Sequence, residues 1–175
     1  MKNLIVITAL GEDRPGIIRN LSSAISETGS NIEDCRLSIL GKEVALMMMV
    51  SGRWNELAKL ESSLPNCAKR MGMDIQIRRT AAQEQGGQLL PYSVEVIALD
   101  APGIVAQLTE FFASRDINIR EMNTSNYTTS GTGTIMFSLQ LTIDVPAGIH
   151  ISTLRDEFMS FCDQLNLDSI MEPAK

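Results

Sequence analysis

The sequence has few of the residues on which enzyme chemistry depends. It contains one histidine, His150, and three widely spaced cysteines, Cys35, Cys67 and Cys162, with no Cys-x-x-Cys pair. A zinc site needs clustered histidine and cysteine ligands, and a catalytic triad needs a histidine beside an activated nucleophile. Neither of the common glycine-rich phosphate-binding loops occurs. We therefore expect a non-enzymatic protein with no metal and no cofactor.

Long apolar segments are also absent. The longest apolar runs, Leu4–Leu10 and Val44–Val50, are far shorter than the ~20 residues that a membrane-spanning helix needs. The first residues have no small-residue cleavage site, so they are interpreted as a strand rather than a signal peptide. An odd number of dispersed cysteines is typical of reduced thiols. These features favour a cytoplasmic protein that has no contact with a membrane.

Positive charge is scarce in the second half of the chain. Residues 1–88 carry a net charge of +1 and residues 89–175 a net charge of −7, which together give −6. Binding to nucleic acid depends on lysines and arginines that neutralise phosphates. The two basic pairs, at residues 69–70 and 78–79, have no aromatic residues between them. We expect no direct binding to nucleic acid.

The chain contains an internal repeat. When the sequence is shifted by 87 residues, residues 13–35 match residues 100–122 at seven of 23 positions without a gap. An apolar stripe with helical spacing recurs at the same offset in both segments. The identical pairs are Asp13/Asp100, Pro15/Pro102, Gly16/Gly103, Ile17/Ile104, Leu21/Leu108, Asn31/Asn118 and Ile32/Ile119.

Each copy has the pattern of a β-α-β-β-α-β unit. A strand leads into an Asp-x-Pro-Gly turn and a helix, followed by a hairpin, a second helix and a short final strand. The predicted fold is α+β, with two tandem ferredoxin-like modules that each have a four-stranded antiparallel sheet and two helices on one face. The predicted boundaries are residues 1–80 and 91–175, joined by a polar, glycine-containing linker at 81–90.

The sequence also predicts how several side chains pack. Val44–Val50 is apolar at every position, which predicts a strand covered on both faces, the second by the other copy or by another chain. The first copy is expected to be more deeply packed than the second. Pro65 is expected to break the second helix into two pieces. Trp54 is expected to anchor that helix on the sheet. Cys35 and Cys162 are both expected to point into the core.

The two Asp-x-Pro-Gly turns are the strongest candidates for a site. In a purely structural interpretation, Asp13 and Asp100 cap the following helices, and proline and glycine shape the turn. In a functional interpretation, the free amides at the helix start bind a carboxylate, and the aspartate holds an α-ammonium group. Asn31 and Asn118 are expected to lie beside the turns as neutral donors and acceptors.

The segments that contain these turns resemble the ACT domain, a regulatory module that senses amino acids. They read DRPGIIRNLSSAISETGSNIEDC and DAPGIVAQLTEFFASRDINIREM. The resemblance covers almost the whole chain in two copies. Because Ala101 stands where the first copy has Arg14, unequal ligand affinity is expected. The ligand contacts implied by the resemblance are Asp13, Arg14, Gly16, Ile17 and Asn31 in copy one, and Asp100, Gly103, Ile104 and Asn118 in copy two.

The resemblance also implies a function. It suggests a homo-oligomeric regulator that represses transcription through a DNA-binding activator protein, with a small amino acid such as glycine as its signal. Two alternatives remain open at this point. One is a detached regulatory subunit of an amino-acid or folate enzyme, since ACT modules accompany such enzymes. The other is a purely structural assembly module whose turns serve only as helix caps.

Overall fold

The chain folds as two successive β-α-β-β-α-β units. The computed structural model describes residues 3–82 and 89–174, and the chain divides into the compact units Met1–Glu84 and Gln85–Lys175, here called module 1 and module 2. Module 1 comprises β1 Asn3–Glu12, α1 Ile17–Ser26, β2 Asn31–Leu40, β3 Glu43–Gly52, α2 Trp54–Arg70 and β4 Met73–Thr80. Module 2 comprises β5 Leu89–Leu99, α3 Ile104–Ala113, β6 Asn118–Thr128, β7 Ile135–Pro146, α4 Ile151–Gln164 and β8 Asp168–Pro173.

The predicted fold class is confirmed by the strand order. Each module has a four-stranded antiparallel sheet, in the order β2-β3-β1-β4 or β6-β7-β5-β8. The first and second strands of each module are therefore parallel to each other and separated by the third. Strand β5 begins at Leu89, inside the stretch expected to be linker, and residues 83–88 of that stretch lie outside the described residues. In the two described ranges, no helix has the length and apolar character to cross a membrane.

Each helix is followed by a residue in the left-handed conformation. Gly29 and Asp116, which follow α1 and α3, have φ angles of 85° and 54°. Both lie in the left-handed region that commonly ends a helix. The turns after α2 and α4 also contain a left-handed residue, Gly72 at φ 67° and Asn166 at φ 55°. The two modules thus share their backbone turns even where the side chains differ.

The sheet of module 1 is buried on one face only. In β3, Val44, Leu46 and Met48 are buried, whereas Met47 between them is 50% exposed. Nothing in the described part of module 1 covers the second face, and its cover by the other copy or by another chain stays a prediction. The helices pack against one face, and an apolar side chain on the opposite face stays accessible because no element of its module covers it. Leu10 on β1, at 51% exposure, is a second example.

Module 2, rather than module 1, has the larger core. Among the described residues, its cluster contains 18 buried apolar side chains, compared with 15 in module 1, so the expected ranking is wrong. The additional residues lie on the strands and in the turns that follow the helices, since the helices of each module contribute seven. Phe111, Phe112 and Phe158 of α3 and α4 add aromatic volume to the interior. Their rings pack edge-on or tilted, with centroids 5.2–5.3 Å apart.

Helix α2 differs from expectation at two positions. It continues through Pro65 without a break, because Leu64 and Ala68 are fully buried on either side of that residue. Burial of these side chains holds the helix to the sheet despite the one backbone hydrogen bond that proline removes. Trp54 does not anchor the helix, since it is 66% exposed and lies near the guanidinium of Arg79.

The cysteines divide between core and surface. Cys162 is buried, as predicted, and burial raises the pKa of its thiol. Cys35 is exposed, so its predicted core position is wrong. It pairs with the buried Met48 and therefore faces the helix side, but it lies on the edge strand β2, where the helices no longer cover the sheet.

This arrangement predicts the order in which the thiols react. Under native conditions, we expect Cys35 to be modified first, Cys67 more slowly and Cys162 only when the protein unfolds, because the reactive species is an accessible thiolate. Time-resolved reaction with a chromogenic disulfide reagent, followed by mass spectrometry, measures this order. The Cys35→Ser variant should lose the fast phase. A fast phase that persists in this variant contradicts the exposed position of Cys35.

Candidate functional site

The Asp-x-Pro-Gly segment forms a tight turn before each helix. The Ile17 amide donates to the Arg14 carbonyl oxygen at 3.4 Å, and Gly16 has φ 95° and ψ −8°. These values fit the third residue of a type II turn, where glycine is favoured because φ is positive and proline suits the preceding position. Gly103 has nearly the same angles, φ 92° and ψ −7°. The motif thus fixes the backbone path into the helix.

The aspartates do not cap the helices. The N-cap residue of α1 is Gly16 and that of α3 is Gly103, and neither helix start has a side-chain capping hydrogen bond. The expected capping role of Asp13 and Asp100 is therefore wrong, because the turn places each aspartate three residues before the cap. Helix starts without side-chain caps retain free amides and partial positive charge. An anionic group can use both.

Each aspartate instead joins its turn to the neighbouring hairpin. The Asp13 amide donates to the Lys42 carbonyl oxygen at 2.8 Å, and the Asp100 amide donates to the Ile135 carbonyl oxygen at 3.2 Å. The backbone of both turns is held in the same way. The carboxylates have different surroundings in the two modules.

Asn126 is a site residue that sequence reasoning missed. Its side-chain amide donates to the Asp100 carboxylate at 3.0 Å. The corresponding position in module 1 is Ile39, and among the described residues the Asp13 carboxylate has no hydrogen-bond or ion-pair partner. Only the hairpin register reveals this pair, since the two residues are 26 positions apart. The Asp13 carboxylate is free for a ligand, whereas that of Asp100 is already bound.

The surface above each helix start is open. A Cβ atom added to Gly16 would meet no atom within 4 Å, and one added to Gly103 would meet only the Gln107 side chain at 3.9 Å. Ile17 and Ile104, in contrast, have buried side chains at 6% and 8% exposure. These isoleucines contribute to the core and can offer a ligand only their backbone.

Arg14 lies beside the turn that follows α2. Its guanidinium is 3.5 Å from the Glu12 carboxylate, and both side chains are more than half exposed. One terminal nitrogen lies 3.1 Å from the place where a Cβ of Gly72 would be. Exposed ion pairs of this kind contribute little to stability, so the guanidinium remains available. Module 2 has Ala101 and Asn166 at these positions and lacks this cation.

Asn31 does not lie beside the turn of its own module. It pairs with Ser51, which in turn pairs with Leu4 at the start of β1, whereas the turn follows the end of β1. The nine residues from Leu4 to Asp13 span about 30 Å of extended chain. The expected proximity is therefore wrong within one module, because α1 returns the chain to the opposite end of the sheet. Asn118 has the same position in module 2, opposite Asp144.

The sheet ends that hold these asparagines differ in charge. A β-bulge follows each asparagine, between Ile32 and Asp34 and between Ile119 and Glu121. In module 1 the bulged Glu33 accepts a short hydrogen bond from the Ser51 hydroxyl. In module 2 the bulge contributes Arg120, which forms two contacts of 2.5 and 3.1 Å with the buried Asp144 carboxylate. The same backbone irregularity thus positions an acid in one module and a base in the other.

Comparisons with known proteins identify the family. The sequence pattern that defines the ACT domain matches residues 3–78. The glycine cleavage system transcriptional repressor of Escherichia coli (strain K12) is 32% identical over 165 residues, which cover 94% of this chain and 87% of that protein. The chain belongs to the ACT-domain family of glycine cleavage system repressors. The resemblance to the ACT domain is confirmed.

Solved structures agree with the family assignment. A crystal structure described as that of a glycine cleavage system transcriptional repressor has a TM-score of 0.73 and 28% identity, covering 100% of this chain and 99% of that one. A protein of unknown function from Galdieria sulphuraria has a TM-score of 0.82 at 23% identity, with 100% of both chains covered. This second similarity concerns the fold alone. The layout of two modules in tandem is thus shared with these two structures.

The uncapped helix starts predict a stability pattern. We expect Asp13→Ala to change the free energy of unfolding by no more than about 0.5 kcal/mol, because its carboxylate has no hydrogen-bond or ion-pair partner in residues 3–82 and 89–174. Asp100→Ala should cost about 0.5–1 kcal/mol through the lost Asn126 hydrogen bond. Gly16→Ala, a control that strains the left-handed residue, should cost about 1–2 kcal/mol. Urea unfolding measures all three, and equal losses for Asp13→Ala and Gly16→Ala would restore the capping role.

Proposed function

We propose that this chain is a non-enzymatic regulator that represses transcription of the glycine cleavage system. It acts through a DNA-binding activator protein and responds to an amino acid such as glycine. The observation that carries the proposal is the similarity, over 94% of the chain, to a protein named for that repression in Escherichia coli. The regulatory nature of ACT domains supports it. A transcriptional regulator of this kind works in the cytoplasm.

The proposed ligand site is the turn that precedes α1. The amides at the uncapped helix start bind the carboxylate of the amino acid, and the free Asp13 carboxylate binds its ammonium group. Gly16 leaves room for the ligand, Ile17 contributes its backbone, and Arg14 adds a cation nearby. A ligand without a side chain, such as glycine, needs only these two charge contacts.

The corresponding turn of module 2 is proposed as a weaker site. Gly103 and Ile104 provide the same helix start, but the Asp100 carboxylate is engaged by Asn126. A ligand must compete with that hydrogen bond and has no counterpart of Arg14 to contact. The two modules are therefore proposed to differ in affinity.

Asn31 and Asn118 are proposed to contact a ligand only when two copies of the chain assemble. Strand β2 is at the edge of its sheet, and an exposed edge is a template for pairing with another chain. Antiparallel pairing of β2 with β2 of a second copy brings the Asn31 end of one strand to the Leu40 end of the other. The turn with Asp13 contacts the hairpin at that end. We propose that Asn31 approaches the ligand of the partner copy, and Asn118 by the same geometry.

Direct contact with DNA does not fit the charge distribution. Residues 89–175 have a net charge of −7, and a polyanion repels such a surface. The proposed regulation therefore passes through a protein that is already bound to the promoter. Amino-acid binding alters that contact only if the ligand favours one arrangement of the regulator over another.

The ligand proposal predicts a graded loss of binding. Asp13→Ala should weaken glycine binding at least about tenfold, because a hydrogen bond to a charged group is worth about 1.5–3 kcal/mol. Asp100→Ala should have a smaller effect. Isothermal calorimetry with purified protein measures both, and Glu27→Ala, an exposed change at the far end of α1, is the matched control. Unchanged glycine affinity in Asp13→Ala would exclude this turn as the site.

The regulatory proposal predicts a requirement for two proteins on DNA. In a mobility-shift assay at physiological salt, this chain alone should not retard the promoter fragment of a glycine cleavage operon. Together with the activator of that operon it should change the mobility of the activator–DNA complex, and glycine should alter that change. Tight, sequence-specific retardation by this chain alone would overturn the proposal.

A further inference from the structure

A groove lies between the two helices of module 2, on the side away from the sheet. It has a volume of about 1110 Å³ and is formed by α3, α4 and the residues that follow each helix. Phe111 is buried at its base, and Phe161 and Leu165 are half-buried beside it. The base of the groove is therefore apolar, although it is open to solvent.

The aromatic base of the groove is fixed by packing. The Phe111 ring lies 5.1 Å from Phe161 and 5.2 Å from Phe158, measured between centroids. Rings packed on several sides have little freedom to move. The groove is thus formed in advance, and a partner need not order it.

The rim of the groove is acidic. Glu110 on α3 and Asp156 on α4 line it, and in the described part of the chain neither carboxylate has an ion-pair partner. Arg115, the basic residue of the lining, is already engaged. It forms an ion pair of 3.0 Å with Glu157, and its guanidinium carbon lies 3.8 Å from the centre of the Phe111 ring. Uncompensated negative charge therefore flanks an apolar floor.

The fold does not require these features. The same positions of module 1 hold Ser23, Ala24 and Thr28 in place of Glu110, Phe111 and Arg115. Module 1 nevertheless forms the same strands, helices and turns. The acidic rim is therefore specific to module 2. Glu110 and Asp156 are exposed and take no part in its core, so the rim points to binding, whereas Phe111 belongs to both the core and the floor of the groove.

We propose that this groove binds a basic amphipathic helix of a protein partner. An apolar floor with charged walls suits a helix that inserts one apolar face and presents lysines or arginines on both flanks. Helices α3 and α4 contain 10 and 14 residues, which correspond to lengths of about 15 and 21 Å. The matching partner segment is three to four turns long. The inference deepens the proposed function, since it identifies where the activator protein would attach.

A pair of designed peptides tests the groove directly. The first is a 14-residue fluorescent helix with a leucine stripe and lysine flanks, and the second has the same stripe with glutamate flanks. Fluorescence anisotropy with the full chain should give at least about tenfold tighter binding for the lysine peptide. Equal binding of the two peptides would overturn the acidic rim as a determinant, and with it the proposal.

Matched variants distinguish an effect of the groove on peptide binding from an effect of net charge. The double change Glu110→Lys with Asp156→Lys should weaken lysine-peptide binding at least about tenfold. The control, Asp168→Lys with Glu172→Lys, makes the same charge change on β8 and should leave binding within about twofold. Ser160→Tyr fills the groove without a change in charge and should also weaken binding. All of these positions are exposed, and thermal unfolding checks that each variant is folded.

The remaining outcomes would contradict the proposal. Equal weakening by the β8 control would attribute binding to net charge and overturn the groove. Sedimentation that shows loss of a dimer in the groove variants, with unchanged peptide binding, would assign the groove to a second copy instead. The peptide assay needs neither DNA nor glycine. If the peptide binds as expected but the mobility-shift assay fails, the proposed regulation is refuted and the groove is retained. If the mobility-shift assay succeeds but the peptide does not bind, the groove is refuted.

Discussion

The packing of two helices on one face of a four-stranded sheet is the constraint on which the rest of each module depends. It buries alternate residues of the central strands, such as Val44, Leu46 and Met48 in β3. It also leaves one sheet face and the edge strand β2 without cover. The helix starts remain at the sheet end, where a ligand can reach their amides.

The repeat made the fold predictable from the sequence. The shared Asp-x-Pro-Gly turn and the apolar stripe that recurs with helical spacing both indicated the elements that the structure contains. Local rules suffice for such features, because they depend on backbone conformation and on the period of burial. Apolar content was a poorer guide. The continuous run in β3 resembled a strand buried on both faces, yet methionine tolerates exposure on an open face.

The candidate site was predictable only in part. Sequence alone located the two turns and their divergence at Arg14 and Ala101. It could not detect that Asn31 lies at the opposite end of the sheet or that Asn126 binds Asp100. Both facts depend on strand register, which a motif does not encode. The capping role assigned to the aspartates failed for a related reason, since the type II turn separates each of them from the helix.

The divergence of the two modules has a practical consequence for spectroscopy. The single tryptophan, Trp54, lies on the surface of module 1, whereas both tyrosines, Tyr92 and Tyr127, are in module 2. Each module therefore has its own intrinsic chromophore. Excitation selective for tryptophan thus reports on the surroundings of Trp54, and the tyrosine signal originates in module 2.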